Sequence, residues 1–157
     1  MSDYETRFGG IARLYGAEQA NWLRQAHFCV IGIGGVGTWV AEALARSGVG
    51  SLTLVDLDDI CTTNTNRQIH AMSSTVGTAK VEAMAERILA INPDCQVQQI
   101  EDFVTVDNLH DMFGDRHDSK FDVIVDAIDS IQAKTALIAY CKRNKFPIVV
   151  TGGAGGQ

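Results

Sequence analysis

The stretch Gly32-Ile33-Gly34-Gly35-Val36-Gly37 follows an apolar run and opens a helical pattern. In that setting a GxGxxG sequence builds a phosphate loop. Gly32 permits the tight turn, Gly34 lets the backbone approach a phosphate, and Gly37 lets helix and strand pack closely. The helix N-terminus then offers free N–H groups and a partial positive charge to an anion. Asp56, about 24 residues after Gly32, closes a second apolar run and is placed to accept from a ribose hydroxyl. Glycine-rich turns are common, so the run alone is a weak signal. Joined to its strand, helix and acidic residue, it predicts a nucleotide site. It does not say which nucleotide, and by fold alone NAD is the default ligand.

Residues further along separate NAD from ATP. Hydride transfer needs a nicotinamide pocket and little extra charge. Adenylation of a carboxylate builds negative charge as pyrophosphate leaves the α-phosphorus, and cations and Mg2+ must offset it. The segment from Asp58 to Gln68 offers the parts. Arg67 can fork onto phosphate oxygens, or stand as a solvated loop residue. Asn64 can orient a ribose or phosphate oxygen. Lys80, just after Gly77 at the start of a helix, can join the same phosphates or pair with a carboxylate on its own helix. Asp126 and Asp129 close a central strand, where open α/β sheets place their ligands. Asp129 lies past the strand and is the candidate Mg2+ ligand; Asp126 can instead cap the following helix or satisfy loop amides. All these residues fall at one rim of the sheet, and their joint occurrence carries more weight than any member.

The elements that position them read as alternating strands and helices. A surface helix is expected from about Ile11 to Gln25, and a buried strand over His27–Ile33. A helix is expected from about Val36 to Arg46, stopping at Gly48, then a short strand over Leu52–Asp56. A polar loop covers Asp58–Asn66. A helix from Thr78 to Ile91 ends before Pro93, and Gln96–Ile100 is a strand with one polar face. Strands over Phe121–Asp126 and Phe146–Thr151 flank a helix from Gln132 to Arg143. This pattern predicts an α/β, Rossmann-like, doubly wound and mainly parallel sheet with helices on both faces, in one domain over 1–157. The glycine-rich end, Gly152 to Gln157, normally leads into another element, so the domain is expected to be cut short at that end.

With 157 residues, 46% hydrophobic and 20% charged, the chain can bury a sizeable core. No apolar run approaches a membrane span, and the N-terminus has no secretory pattern. The four cysteines, Cys29, Cys61, Cys95 and Cys141, form no CxxC pair. Their scatter argues against zinc or a disulfide framework and fits a reducing cytoplasm. Cys29 and Cys141 read as buried thiols, and Cys61 as structural rather than nucleophilic. The four histidines show no ligand spacing. A net charge of −6 counts against a protein whose whole surface grips nucleic acid.

Taken together, GIGGVG, Asp56 with Asp58, Asn64-x-x-Arg67-Gln68, Gly77-x-x-Lys80 and Asp126-x-x-Asp129 resemble the ThiF/MoeB/ubiquitin-activating superfamily over essentially the whole chain. Arg7 to Gly16, Thr63 to Ala71, Asp126 to Ser130 and Thr151 to Gln157 resemble its tRNA threonylcarbamoyladenosine dehydratase branch. MoeB and ThiF relatives usually carry Asn where Ser130 stands. The resemblance implies ATP contacts from Gly35, Asp56, Asn64, Arg67 and Lys80, and Mg2+ with catalytic geometry from Asp129. It implies a homodimer in which an N-terminal arginine, Arg7 or its competitor Arg13, reaches the partner's site. It further implies a tRNA substrate, and leaves room for a sulfur-transfer partner protein and for membrane association through a C-terminal segment beyond this chain. Competing expectations are adenylation of a ubiquitin-like sulfur carrier's C-terminus, an NAD-dependent oxidoreductase, and a non-catalytic scaffold that keeps the fold.

Overall fold

A computed structural model describes residues 2–152; Met1 and the sequence Gly153-Ala154-Gly155-Gly156-Gln157 lie outside the described residues. The elements are α1 (Asp3–Tyr15), α2 (Ala17–Gln25), β1 (His27–Ile31), α3 (Gly37–Arg46), β2 (Ser51–Val55), α4 (Lys80–Ile91), β3 (Gln96–Ile100), α5 (Leu109–Phe113), β4 (Val123–Asp126), α6 (Ile131–Asn144) and β5 (Ile148–Val150), with a single 3-10 turn at Thr62–Asn64. The strands form one sheet in the order β3-β2-β1-β4-β5, and every pairing is parallel. After β3 the chain crosses to the far side of β1. The switch point therefore lies between β1 and β4, and the crevice opens at their C-terminal ends.

Alternation along β1 explains the two layers. Phe28 and Val30 face a cluster with Leu52, Leu54, Met84 and Ile88, under α3 and α4. Cys29 and Ile31 face the other way, onto Phe113, Phe121, Ile124 and Leu137, under α5 and α6. Both faces of the sheet are thus covered, which is why β1 is apolar at successive positions instead of every second one. Cys29 and Cys141 are buried in the second cluster, and burial pushes the Cys141 thiol up to about 11. Across the first layer, Glu42 of α3 accepts from Arg87 Nε of α4 at 2.6 Å and from Arg46 at 2.8 Å.

One expectation needs correction. The single helix over Ile11–Gln25 is two helices, and the first begins far earlier. Ser2 and Glu5 form a reciprocal capping box that starts α1 at Asp3. Gly16 then breaks the helix with φ 97°, a left-handed conformation that costs a glycine nothing. The stretch between β3 and β4 also holds the short helix α5, whose five residues are too few to show a helical period.

Candidate functional site

The glycine loop is built by close approach. A Cβ on Gly37 would stand 1.6 Å from the Gly32 carbonyl oxygen, and one on Gly32 would stand 2.5 Å from the Ala127 oxygen. Helix α3 can therefore start this close to β1 and β4 only with glycine at both points. Asp56, at the end of β2, accepts from the Ile33 N–H at 2.8 Å and from the Asp58 N–H at 2.9 Å. The hydroxyl of Thr38 donates to the Gly34 carbonyl at 2.6 Å. Among the described residues, the N–H groups of Gly34, Gly35 and Val36 find no protein acceptor. They are the free donors an anion needs.

One cleft gathers most of the expected residues. Gly32, Gly34, Gly35, Asp56, Asp58, Lys80 and Asp129 all line it. Lys80, the first residue of α4, has a side chain only 9% exposed, and its nearest carboxylate oxygen, on Asp58, is 3.9 Å away. That distance is too long for a hydrogen bond. Lys80 is therefore a buried cation whose ammonium has no hydrogen-bonded anion among the described residues, and it does not pair along its own helix. Asp129, in the turn between β4 and α6, is exposed and makes no hydrogen bond or ion pair with any described residue.

Arg67 and Asn64 are not among the residues that line the cleft. The Arg67 side chain lies over Gly35, its Cγ 3.3 Å from where a Cβ would stand. Its Nη1 donates to the Thr63 carbonyl and to Asn66 Oδ1, leaving the rest of the fork free. Asn64 is buried, with its Oδ1 accepting from the Cys61 N–H at 2.8 Å. Asn64 thereby shapes the loop that presents Arg67. Cys61 is exposed, and a hydrogen bond from the Thr63 hydroxyl holds its thiol below the ordinary value.

Asp126 takes the structural alternative. It is fully buried, its Oδ1 accepts from the Ile128 N–H at 3.0 Å, and its Oδ2 pairs with Lys134 Nζ at 2.7 Å. Lys134 also donates to the Thr151 carbonyl at 2.8 Å, so the ends of β4 and β5 are tied together beneath the turn that carries Asp129. Arg7 is not brought to the cleft. It pairs with Asp3 at 2.7 Å and reaches the Ile91 carbonyl, at the opposite end of α4 from Lys80. Eleven helical rises put Lys80 and Ile91 about 16 Å apart along the axis.

Several residues of the site carried no assignment from sequence. Asp102, Phe103 and Val104, just past β3, line the cleft, and Phe103 is half exposed there. The rule that ligands sit at the C-terminal ends of strands could have found them. Gln68 lines the cleft with a buried Oε1 that has no partner among the described residues. His70 is buried behind the glycine loop. Lys134 had one signal: a lysine in the first turn of a helix opposes the helix dipole and so requires an acidic partner.

Residues 9–157 match the model of the ThiF family. The chain belongs to the ThiF family. The tRNA threonylcarbamoyladenosine dehydratase of Escherichia coli (strain K12) is 57% identical over 154 residues, covering 98% of this chain and 56% of that protein. The enzyme of the same name from Haemophilus influenzae is 56% identical over 157 residues, covering all of this chain and 59% of that protein. The crystal structure of the E. coli dehydratase, TcdA, in complex with ATP matches with a TM-score of 0.93 over 99% of this chain and 63% of that one. The chain thus spans less than two thirds of the length of these relatives. The ThiF-family fold and the resemblance to the dehydratase branch are borne out. No described helix is long and apolar enough to cross a membrane.

Proposed function

We propose that this ThiF-family protein uses ATP to dehydrate threonylcarbamoyladenosine in tRNA. The observation that carries the reading is a buried Lys80 whose ammonium makes no hydrogen bond and an unpaired Asp129 on one phosphate-loop cleft, in a chain 57% identical to a dehydratase of that specificity.

The free N–H groups of Gly34, Gly35 and Val36 hold phosphate oxygens, with Lys80 and the free part of the Arg67 guanidinium adding charge where the leaving pyrophosphate needs it. Asp56 is committed to the loop through one lone pair of each oxygen and keeps others for a ribose hydroxyl. The substrate carboxylate attacks the α-phosphorus, forming an acyl adenylate and releasing pyrophosphate. A nitrogen of the same threonylcarbamoyl group then attacks the activated carbonyl carbon. AMP leaves with the bonding pair, the nitrogen loses its proton, and the ring closes with net loss of water. Closure is intramolecular, so it requires positioning and no enzyme nucleophile. That agrees with Cys29, Cys95 and Cys141 being buried and with the exposed Cys61 not lining the cleft.

Mg2+ fits this site in one form. Asp126 is engaged by Lys134, and among the described residues no three potential ligands cluster around a metal position. Of the carboxylates that line the cleft, Asp58 and Asp129 make no hydrogen bond among the described residues, and Asp129 is also clear of any cation, which suits an ion carried chiefly by nucleotide phosphates and held by one carboxylate. When bound, the ion would offset charge on the phosphates, and Asp129 would hold it. A homodimer in which Arg7 or Arg13 of one protomer serves the other's cleft belongs to the same reading. A sulfur-transfer partner and a cytoplasmic location, with membrane contact through a further segment, follow only from the family likeness.

The test is to incubate the full-length protein with ATP, Mg2+ and tRNA carrying threonylcarbamoyladenosine, and to weigh the digested nucleosides by mass spectrometry. Loss of one water, only with ATP present, is expected. Asp129→Asn should abolish AMP formation with an unchanged circular dichroism spectrum. ATP binding without any mass change in the nucleoside would move the function to adenylation of a carrier protein's C-terminus, and no ATP binding would return the NAD reading.

A further inference from the structure

His70 is 1% exposed, lies outside every regular element, and its ring touches the phosphate loop at one atom. Nε2 stands 2.9 Å from the Ile33 carbonyl oxygen. A carbonyl only accepts, so Nε2 carries the proton and Nδ1 does not. Nδ1 is buried with no donor among the described residues. A neutral imidazole with one nitrogen orphaned costs stability, and that cost calls for a return elsewhere.

The return is visible in the peptide planes. The Ile33 carbonyl and the Gly34 N–H belong to one trans peptide, so they point in opposite directions. Holding the carbonyl inward turns the Gly34 N–H outward. The next plane is set the same way: Thr38 holds the Gly34 carbonyl through its hydroxyl at 2.6 Å and its N–H at 3.1 Å, and so turns out the Gly35 N–H. The Ile33 N–H is itself anchored by Asp56. Glycine at 34 and 35 leaves these planes little intrinsic preference, so outside contacts must fix them. Without His70, the plane between Ile33 and Gly34 could rotate and present a carbonyl to the phosphates.

We propose that His70 is a positioning residue of the phosphate loop: its Nε2–H, by holding the Ile33 carbonyl inward, aims the Gly34 N–H at the nucleotide's phosphates. The inference rests on the nucleotide reading of the cleft. Burial and the nearby Lys80 keep the ring below the ordinary histidine value, against the raising effects of the Ile33 bond and Asp56, so the ring stays the single donor this role needs.

The experiment compares the affinities of the full-length protein for ATP and for adenosine, which share the base and ribose and differ in the phosphates. His70→Leu should weaken ATP binding roughly tenfold, the scale of one aligned hydrogen bond, and leave adenosine binding unchanged. His70→Gln, whose amide can reach the Ile33 carbonyl, should keep the wild-type ratio, and the shorter His70→Asn should lose it. If Leu proves insoluble, the Gln–Asn contrast decides. Equal ratios in Gln and Asn, or Leu binding both ligands as the wild type does or losing both alike, would overturn the proposal. A wild-type protein that does not prefer ATP to adenosine would refute the nucleotide reading itself.

Discussion

Removing Lys134 should expose how much of this site is held from below. Its side chain is 17% exposed, that of Asp126 is fully buried, and the two meet at 2.7 Å. Lys134→Met preserves the length of the side chain and removes the charge. Asp126 is then left in the interior with one N–H donor, from Ile128, and the Thr151 carbonyl loses its donor. Breaking a buried pair by deleting one partner costs about 3–5 kcal/mol. Urea denaturation followed by circular dichroism should show a lower midpoint with an unchanged slope. In a chain of this size the loss corresponds to roughly 6–20 °C in melting temperature. Asp126→Asn should also destabilise. The double variant Asp126→Asn/Lys134→Met should lose much less stability than the sum of the two single losses, because each single change strands a charge and the double strands none. A Lys134→Met loss below about 1 kcal/mol, or simple additivity in the double variant, would refute the buried pair as the tie between β4 and β5.

Lys80→Met should act in the opposite sense: the cation has no short partner, so stability should hold or rise by about 1 kcal/mol while ATP affinity falls, checked by melting and by calorimetric titration. Gly37→Ala drives a Cβ to 1.6 Å from a backbone oxygen that cannot move aside, and should cost on the order of 4 kcal/mol or more, read as loss of soluble folded protein. Stability should also fall on acidification. His27 and His70 are held below 6.5 chiefly by burial, with Lys120 and Lys80 adding and Asp122 and Asp56 opposing. The unfolded chain therefore takes up protons first as pH drops, and the urea midpoint should be flat above about 6.5 and decline below it. Glu42, held down first by its hydrogen bond from Arg87, should add a second decline below about 4.5, the ordinary carboxylate value, and Glu42→Gln should remove that limb.

What could be read in the sequence is what depends on local order along the chain. The GIGGVG run sits between a strand and a helix because turn, phosphate loop and helix start are contiguous, and the structure places them together. The bounds of β3 were legible to the residue, since Gln96–Ile100 is closed off by Pro93 before it and polar residues after it. What could not be read are pairings across distance. Nothing local to Asp126 says that its partner is Lys134, eight residues on and across the turn. Nothing local to His70 says that it holds a carbonyl 37 residues earlier. The break at Gly16 was missed for a different reason. A lone glycine within a helical pattern is tolerated at modest cost, and its positive φ is set by how α1 and α2 pack.

The distribution of compensated and uncompensated charge separates scaffold from site. Glu42 with Arg87 and Arg46, and Asp126 with Lys134, are closed at 2.6–2.8 Å; each satisfies its own buried charge and leaves nothing for a ligand. Lys80 is more buried than any of the cations in these pairs, yet its nearest carboxylate, on the exposed Asp58, stays at 3.9 Å. Asp129 is likewise left open three residues beyond a carboxylate that is fully engaged. A fold selected only for stability would pair these groups or replace them. Keeping a buried cation and a free carboxylate on the same cleft as three unused N–H groups costs stability unless an outside species supplies both the anion and the cation. A polyphosphate carrying a divalent ion supplies both at once, whereas the single bridging diphosphate of NAD needs neither the lysine nor the carboxylate. The charges the protein leaves unpaired thus favour ATP more firmly than the glycine loop does.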